Sequence, residues 1–425
     1  MAKPKLALIP AAQGTSLYSV LPSSGVGDFS FTRSGSATRI NAQGLIETVA
    51  SGVSRLNYPL IDGVVKGCPH HILEPQRLQL VQYSEDFSNS YWGTARIETP
   101  YIADVLSPDG TLNAYTLEIS SGQTGGGGVF KGLSVTGDNS FSVFAKKKTA
   151  NYLALGDTGL TTNAVYFDLE NGVVGTTYNA TGEIQDFGNG WYRCTMKYTL
   201  TSTGNKFIYL SNIDGTIIGG VVGGDSIYIY GAQIESGSFP TSYIPNYGTA
   251  AGVTRSAETA TGSGDADTFN DSEGVLMAEI SALANDGIRV ITLSNGSNAE
   301  RILLSYNQNG RLDVNIIEND SYQAVFNYTN INSIEFNKIL ISYKQNDFKL
   351  WLNGFQVGSV ENGNTPVGLN TLNFGATYNA SVESFYGNTK QLQYFDTALT
   401  NSELEQLTSW VSFQEMAEGQ LYTIE

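Results

Sequence analysis

Few residues in this chain could do covalent chemistry. The only histidines, His70 and His71, are adjacent in Cys68-Pro-His-His. A serine or cysteine nucleophile needs a histidine base, and Cys68 lies close by, but a Pro-flanked loop at the surface or an interface accounts for the run. The two cysteines, Cys68 and Cys194, stand about 126 positions apart without a CxxC. Both read as small buried residues rather than a staple or a metal site. Asp265-Ala-Asp267 and Asp109-Gly110 offer oxygens of the kind calcium takes, but two acids fall short of its ~6–8 ligands, so solvated loops are expected. Gly125–Gly128 lacks the Gly-Lys-Ser/Thr of a phosphate loop and reads as a flexible turn. Tyrosine with arginine or histidine can serve a polysaccharide lyase, yet abundant Tyr supplies no such constellation.

Aromatic rings remain, and these suit sugars, whose faces stack on rings while amide side chains bind their hydroxyls. Trp92, Trp191 and Trp351 read as packing residues. Tyr322, Tyr378 and Tyr386 lie in loop-like surroundings beside Asn319, Asp320, Asn379 and Asn388. They are the candidate glycan contacts. No catalytic, cofactor or metal residue is assigned.

The elements that would position these side chains are strands. From Asn337 to Val360, Ile339, Ile341 and Tyr343 alternate with Leu340, Ser342 and Lys344, and Phe348, Leu350 and Leu352 with Lys349, Trp351 and Asn353. Period two predicts strands with one buried face. Asn353-Gly354 between two such runs is a type I′ hairpin signal. With 47 Gly, 24 Tyr, 19 Phe and only 15% charged residues among 425, turn and β formers dominate, which predicts an all-β chain.

The net charge of −17 repels a phosphate backbone and argues against nucleic-acid binding. No apolar run reaches the ~18 residues of a membrane span. The basic, apolar N-terminus is interrupted by Pro10, which argues against a signal peptide. A soluble protein made in a cytoplasm is expected, without membrane insertion.

Four regions are expected. Residues 1–84 hold short strands and Gly-Ser turns with little core of their own, so they should pack on another subunit or on the next domain. Residues 85–248 read as a first β-sandwich, with strands around Phe141, Tyr152, Ala164, Trp191, Lys206 and Ser226. Residues 249–267, rich in Ala, Gly, Ser and Thr, read as a linker. Its Val253-Thr-Arg-Ser-Ala echoes Phe31-Thr-Arg-Ser-Gly, by repetition or by chance. Residues 268–425 form a second sandwich, with Leu392, Tyr394 and Leu399 facing its core. A short C-terminal helix is capped by Thr400 or Asn401, with Glu403 and Glu405 near its positive end.

The hairpin over 337–360 and the tail Lys390-Gln-Leu-Gln-Tyr-Phe-Asp-Thr-Ala-Leu-Thr-Asn-Ser-Glu-Leu resemble the laminin-G-like, concanavalin A-like lectin/glucanase family, over roughly Asp265 to Trp410. Glucanases of that family share a Glu-x-Asp-x-x-Glu strand with acid and nucleophile on one face. Here Glu279 and Asp313 each stand without the partner acids, so no hydrolase is expected. Gly190-Trp-Tyr-Arg-Cys and Tyr230-Gly-Ala-Gln-Ile-Glu with Tyr243-Ile-Pro resemble carbohydrate-binding-module-like jelly rolls. The run from Leu6 to Phe87, with Phe31-Thr-Arg-Ser-Gly, Arg55-Leu-Asn-Tyr-Pro and Leu73-Glu-Pro-Gln-Arg, is similar to N-terminal parts of fibre and tail proteins of tailed bacteriophages, notably of Bacteroidetes-type hosts.

These resemblances imply an all-β virion component, a head or tail fibre with two jelly-roll modules behind an extended N-terminal attachment segment. Other virion proteins would bind through residues 1–84, three copies would assemble as a homotrimer, and the lectin-like modules would adhere to host surface polysaccharide. The alternatives are a decoration or adaptor that binds no sugar, and a capsule depolymerase.

Overall fold

The computed structural model describes residues 3–13, 16–21, 27–200, 203–308, 310–376 and 383–410. Strands Asn337–Lys344 and Asp347–Leu352 pair antiparallel, and Phe355–Val360 returns beyond Asn353-Gly354. Asn353 and Gly354 have φ of 48° and 90°, the left-handed pair that a type I′ turn requires. One face of this ribbon, with Ile339, Ile341, Tyr343, Phe348 and Leu350, enters the main core. The other face was expected to meet solvent. Instead Val275, Met277, Leu340 and Trp351 pack beneath Leu399 and Leu404 of the C-terminal helical region. The helix Asn401–Thr408 starts at Thr400, whose hydroxyl accepts from Glu403 N while the Glu403 carboxylate accepts from Thr400 N. That reciprocal cap sets the helix down on the sheet's back.

A five-stranded sheet faces this one, ordered Ser321–Tyr328, Arg311–Glu318, Arg301–Asn307, Arg289–Ser294 and Thr371–Asn373. Together they make the C-terminal sandwich. The first sandwich consists of two six-stranded sheets. Phe141, Val143, Leu153, Phe167, Cys194, Met196, Ile208 and Ile229 fill the space between them. All of its expected strands are present, and the fold is all-β with one short helix among the described residues.

Residues 3–84 are built into this body. Strand Gly387–Phe395, expected to close the domain, lies inside the largest sheet. One edge bonds Glu273–Ala282. Its other edge is shared: Leu392–Tyr394 pair with Leu6–Leu8, and Gly387–Thr389 pair with His71–Leu73. Leu6, Leu8, Phe29, Phe31 and Leu73 join the C-terminal core. The poor core of this segment is thereby supplied by the last sandwich of the same chain. His70 and His71 occupy a buried strand rather than a surface loop, because that strand is sandwiched between Arg55–Asn57 and Gly387–Phe395. Cys68 just before it is exposed, contrary to expectation, and Cys194 is buried. Neither is in a disulfide.

The stretch 249–267 likewise departs from a linker. Val253–Arg255 pairs with Arg77–Gln79, and Thr259–Thr261 pairs with Phe29–Thr32. Between these strands lies a fully buried charge network. Glu258 accepts from Arg33 Nη1 at 2.7 Å and Arg55 Nε at 2.8 Å, and its second oxygen contacts Arg55 Nη2. Arg55 Nη2 also reaches Glu74 at 2.8 Å, and Arg255 Nη1 lies 2.7 Å from the same carboxylate. Ser242 N and Oγ donate to Glu74 at 2.8 and 2.6 Å.

Burial alone would push the Glu74 carboxyl up, but Arg255 and Arg55 outweigh it and bring it down to about 2. Burial brings His70 and His71 down to about 3, helped by Lys390 and by Arg55 respectively. All three shifts carry the same sign. The unfolded chain takes up protons that the folded one refuses, first on the histidines below about 6.5 and then on Glu74 below about 4.5. Stability is therefore complete above that range and lost as the pH falls.

Three outcomes are expected. Thermal melts should hold level above about pH 7 and lose on the order of a few kcal/mol by about pH 4, less steeply in H70Q/H71Q; a level profile to pH 4 contradicts the assignment. Glu258→Gln, by stranding Arg33 and Arg55, should cost about 3–5 kcal/mol in urea denaturation, against under ~0.5 kcal/mol for the exposed Glu361→Gln. A fragment of residues 265–410, stripped of Leu6, Leu8, Phe29, Phe31 and Leu73, should aggregate or melt well below the full chain; a melting temperature equal to that of the full chain would show that the C-terminal sandwich is self-sufficient.

Candidate functional site

Strand Trp191–Leu200 turns Cys194, Met196 and Tyr198 into the first core. Its alternate residues Arg193, Thr195 and Lys197 lie on the opposite face, as period two requires. The neighbouring edge strand Thr181–Asp186 places Gln185, Glu183 and Thr181 directly across from them. On the other side, Phe144, Ser142 and Ser140 are their partners. This outer face is the floor of a cleft of about 570 Å³.

Three segments wall the cleft. Arg39, Asn57, Tyr58 and His70 come from the N-terminal region, Ser238–Tyr243 from the chain leaving the first sandwich, and Asn285, Ile334, Phe336 and Asn388 from the C-terminal sandwich. Its back is the charge network, since Glu74 and Ser242 belong to both. The cleft thus exists only where the three regions meet, a common place for ligand sites.

The polar groups are unequally engaged. Lys197 Nζ is 3.1 Å from Glu183 Oε2, and Arg39 Nε is 3.0 Å from Glu47 Oε2. Asn57 Oδ1 accepts from Ile40 N at 2.8 Å, and its amide nitrogen sits 3.3 Å from His70 Nε2. His70 Nδ1 has no partner, and the ring, down at about 3, is neutral. Arg193 lies over the Phe144 ring at 5.6 Å and donates from Nη2 to Ser142 Oγ at 3.1 Å and Thr241 O at 2.8 Å. Its Nε has no acceptor, and no carboxylate among the described residues forms an ion pair with it.

The sequence candidates do not converge here. Tyr322 is exposed on the edge strand Ser321–Tyr328, not in a loop. Tyr386 is half-buried, and its carbonyl accepts from Arg289 Nε at 2.9 Å. Following the pairing Arg289–Tyr306–Leu312–Tyr328, Tyr386 sits at the opposite end of that sheet from Tyr322. The separation is about 17 Å along the strands and about 14 Å across them. Tyr378 lies outside the described residues. Of the neighbouring amides, Asn388 lines the cleft.

Trp92, Trp191 and Trp351 are buried in packing, as expected. Asp109 accepts from Ser107, Thr111 and Asn113, and Asp265 from Thr268 and Asp267 N, so each carboxylate is engaged within its own loop. Among the described residues no group of three potential metal ligands forms. Glu279 and Asp313 lie in different sheets, bonded to Gln391 and Arg311.

Sequence reasoning missed Arg193, Tyr58, Gln185 and Asn285. The signal available for Arg193 was the polar phase of its strand, Arg193-x-Thr195-x-Lys197, on the side away from Cys194 and Met196. Nothing local linked that phase to Tyr58 or Asn285.

Residues 276–405 match the family described as concanavalin A-like lectin/glucanases superfamily (Laminin_G_3), the part built on the hairpin and the helix. No curated protein matches the chain. Among solved structures, the Ruminococcus gnavus IT-sialidase CBM40 has 14% identity and a TM-score of 0.30, covering 33% of this chain and 84% of its own. A SAP-like pentraxin from Limulus polyphemus has 16% identity and a TM-score of 0.28, covering 33% and 72%. The leech intramolecular trans-sialidase has 13% identity and a TM-score of 0.29, covering 34% of this chain and 24% of its own.

Proposed function

We propose that this protein is a non-catalytic glycan adhesin carried on a phage virion, a head or tail fibre presenting its sandwiches to host surface polysaccharide. The observation that carries the adhesin is the junction cleft. Its volume of about 570 Å³ falls in the usual range for ligand sites, ~300–1,000 Å³. Its lining of rings, amides, hydroxyls and a guanidinium suits polyhydroxylated ligands, and the lectin-type match over 276–405 supports the same class.

The carboxylates support binding without cleavage. Glycoside hydrolysis uses one carboxyl held protonated opposite a second. In the cleft, Glu183 is ion-paired with Lys197, and Glu74 is held ionised by Arg255 and Arg55.

The virion setting rests on the resemblance of residues 6–87 to fibre and tail proteins. Because the strands of that segment are built into the large sheet, contact with other virion proteins would use its outward surfaces rather than a detached tail. A homotrimer would present three clefts, and linked weak sites can gain ~10²–10⁴ in avidity.

The labelled full-length protein should bind bacterial cells and a bacterial polysaccharide array saturably, and release no new reducing ends. Oligosaccharide release would make it a depolymerase. A folded protein that binds no glycan on either platform would leave a purely structural virion decoration as the reading.

A further inference from the structure

The cleft's lining differs in charge from the chain as a whole. The chain carries −17 overall, yet the lining contributes the cations Arg39, Arg193 and Lys197 against the carboxylates Glu74 and Glu183. Glu74 is consumed by Arg55 and Arg255, Glu183 by Lys197, and Arg39 by Glu47 outside the lining. Arg193 is left over. Half-buried on the floor, it lies with Cζ 5.6 Å from the Phe144 ring centroid and is pinned through Nη2 to Ser142 and Thr241.

Its Nε is closed off from solvent without an acceptor, and Nη1, which makes no hydrogen bond to the described residues, is the group left for a ligand in the cleft that Arg193 lines. A cationic N–H donor suits a carboxylate oxygen through a charge-assisted hydrogen bond. A guanidinium fixed in advance by two hydrogen bonds loses little further freedom on binding. Tyr58 offers a half-buried ring on the wall, and Gln185 and the amide nitrogen of Asn285 offer groups for hydroxyls.

We propose that the junction cleft selects acidic glycans, with Arg193 receiving the sugar carboxylate and Tyr58 flanking the ring. This rests on the adhesin reading and narrows it from polysaccharide in general to polymers carrying uronic or sialic acids. A neutral sugar could fill the same space but would bring the Arg193 cation no anionic acceptor, which costs affinity.

The test uses the full-length protein, titrated calorimetrically with oligogalacturonate, its methyl ester, oligosialic acid and a neutral galactan oligosaccharide. Binding of one or both acidic ligands at least about tenfold tighter than the ester and the galactan is expected, and which one binds tells a uronate from a sialate. Arg193→Gln should abolish the acidic preference, and Arg193→Lys should restore it only in part. Tyr58→Ala should weaken acidic binding without shifting the melting temperature, which keeps the test valid if the Arg193 variants are unstable.

Equal affinity for the acid and its ester would overturn the carboxylate assignment while leaving the adhesin intact. An acidic preference that survives both Arg193→Gln and Tyr58→Ala would place the site elsewhere. Failure to bind any of the four, together with failure on the polysaccharide array, would remove the adhesin reading itself.

Discussion

The architecture hangs on the charges enclosed around Glu258 and Glu74. Three arginines without solvent contact, Arg33, Arg55 and Arg255, meet two glutamates equally enclosed. Each buried ion carries a desolvation cost of several kcal/mol that only well-matched partners offset. The partners here come from residues 33–74, from Ser242 at the exit of the first sandwich and from Arg255 and Glu258 beyond it. Arg55 and Glu74 pair within the first of these, but Arg33, Arg255 and Glu258 find their partners only across segments. The network therefore closes only when all have arrived, and it favours one relative placement of the two sandwiches over the many that a flexible connection would allow.

The large sheet obeys the same logic through hydrogen bonds and apolar contacts. Strand Gly387–Phe395 divides its outer edge between Leu6–Leu8 and His71–Leu73, so an edge otherwise open to aggregation is covered by the chain's own start. Two modules that look serial in sequence are thus interlocked in space.

What could be read in advance was local. The Asn353-Gly354 turn, the Thr400 cap and the alternation around Phe141, Ala164 and Trp191 are each fixed by neighbours in sequence, and all appear in the fold. What could not be read was long-range. The strand Val253–Arg255 looks like linker because Ala, Gly, Ser and Thr set no period, and its partner Arg77–Gln79 lies about 175 positions away in a chain whose pairings are mostly nonlocal. His70 and His71 look like loop because Pro69 and Gly67 flank them, and only burial between two strands explains them. The tyrosine candidates failed to converge for a related reason. Spacing along the chain could place Tyr322 and Tyr386 in one sandwich but could not show that one stands on an edge strand of the five-stranded sheet and the other in the loop before Gly387–Phe395.

The echo between Phe31-Thr-Arg33 and Val253-Thr-Arg255 takes a physical meaning from the network. Both arginines enter it from strand ends, Arg33 toward Glu258 and Arg255 toward Glu74, and Arg55 bridges the two acids. The matched wording corresponds to matched roles, whatever its origin. Glu235, fully buried and bonded to Gln233 and Thr241, adds a third carboxylate beside Thr241, which also accepts from Arg255. Arg77 Nε lies 3.8 Å from Glu235, so each of the three enclosed acids has a cation beside it without Arg193. Arg193, held by Ser142 and Thr241 and in an ion pair with no acid among the described residues, lines the cleft beside that cluster. The constraint that locks the sandwiches together is also what frees Arg193 to act on a ligand.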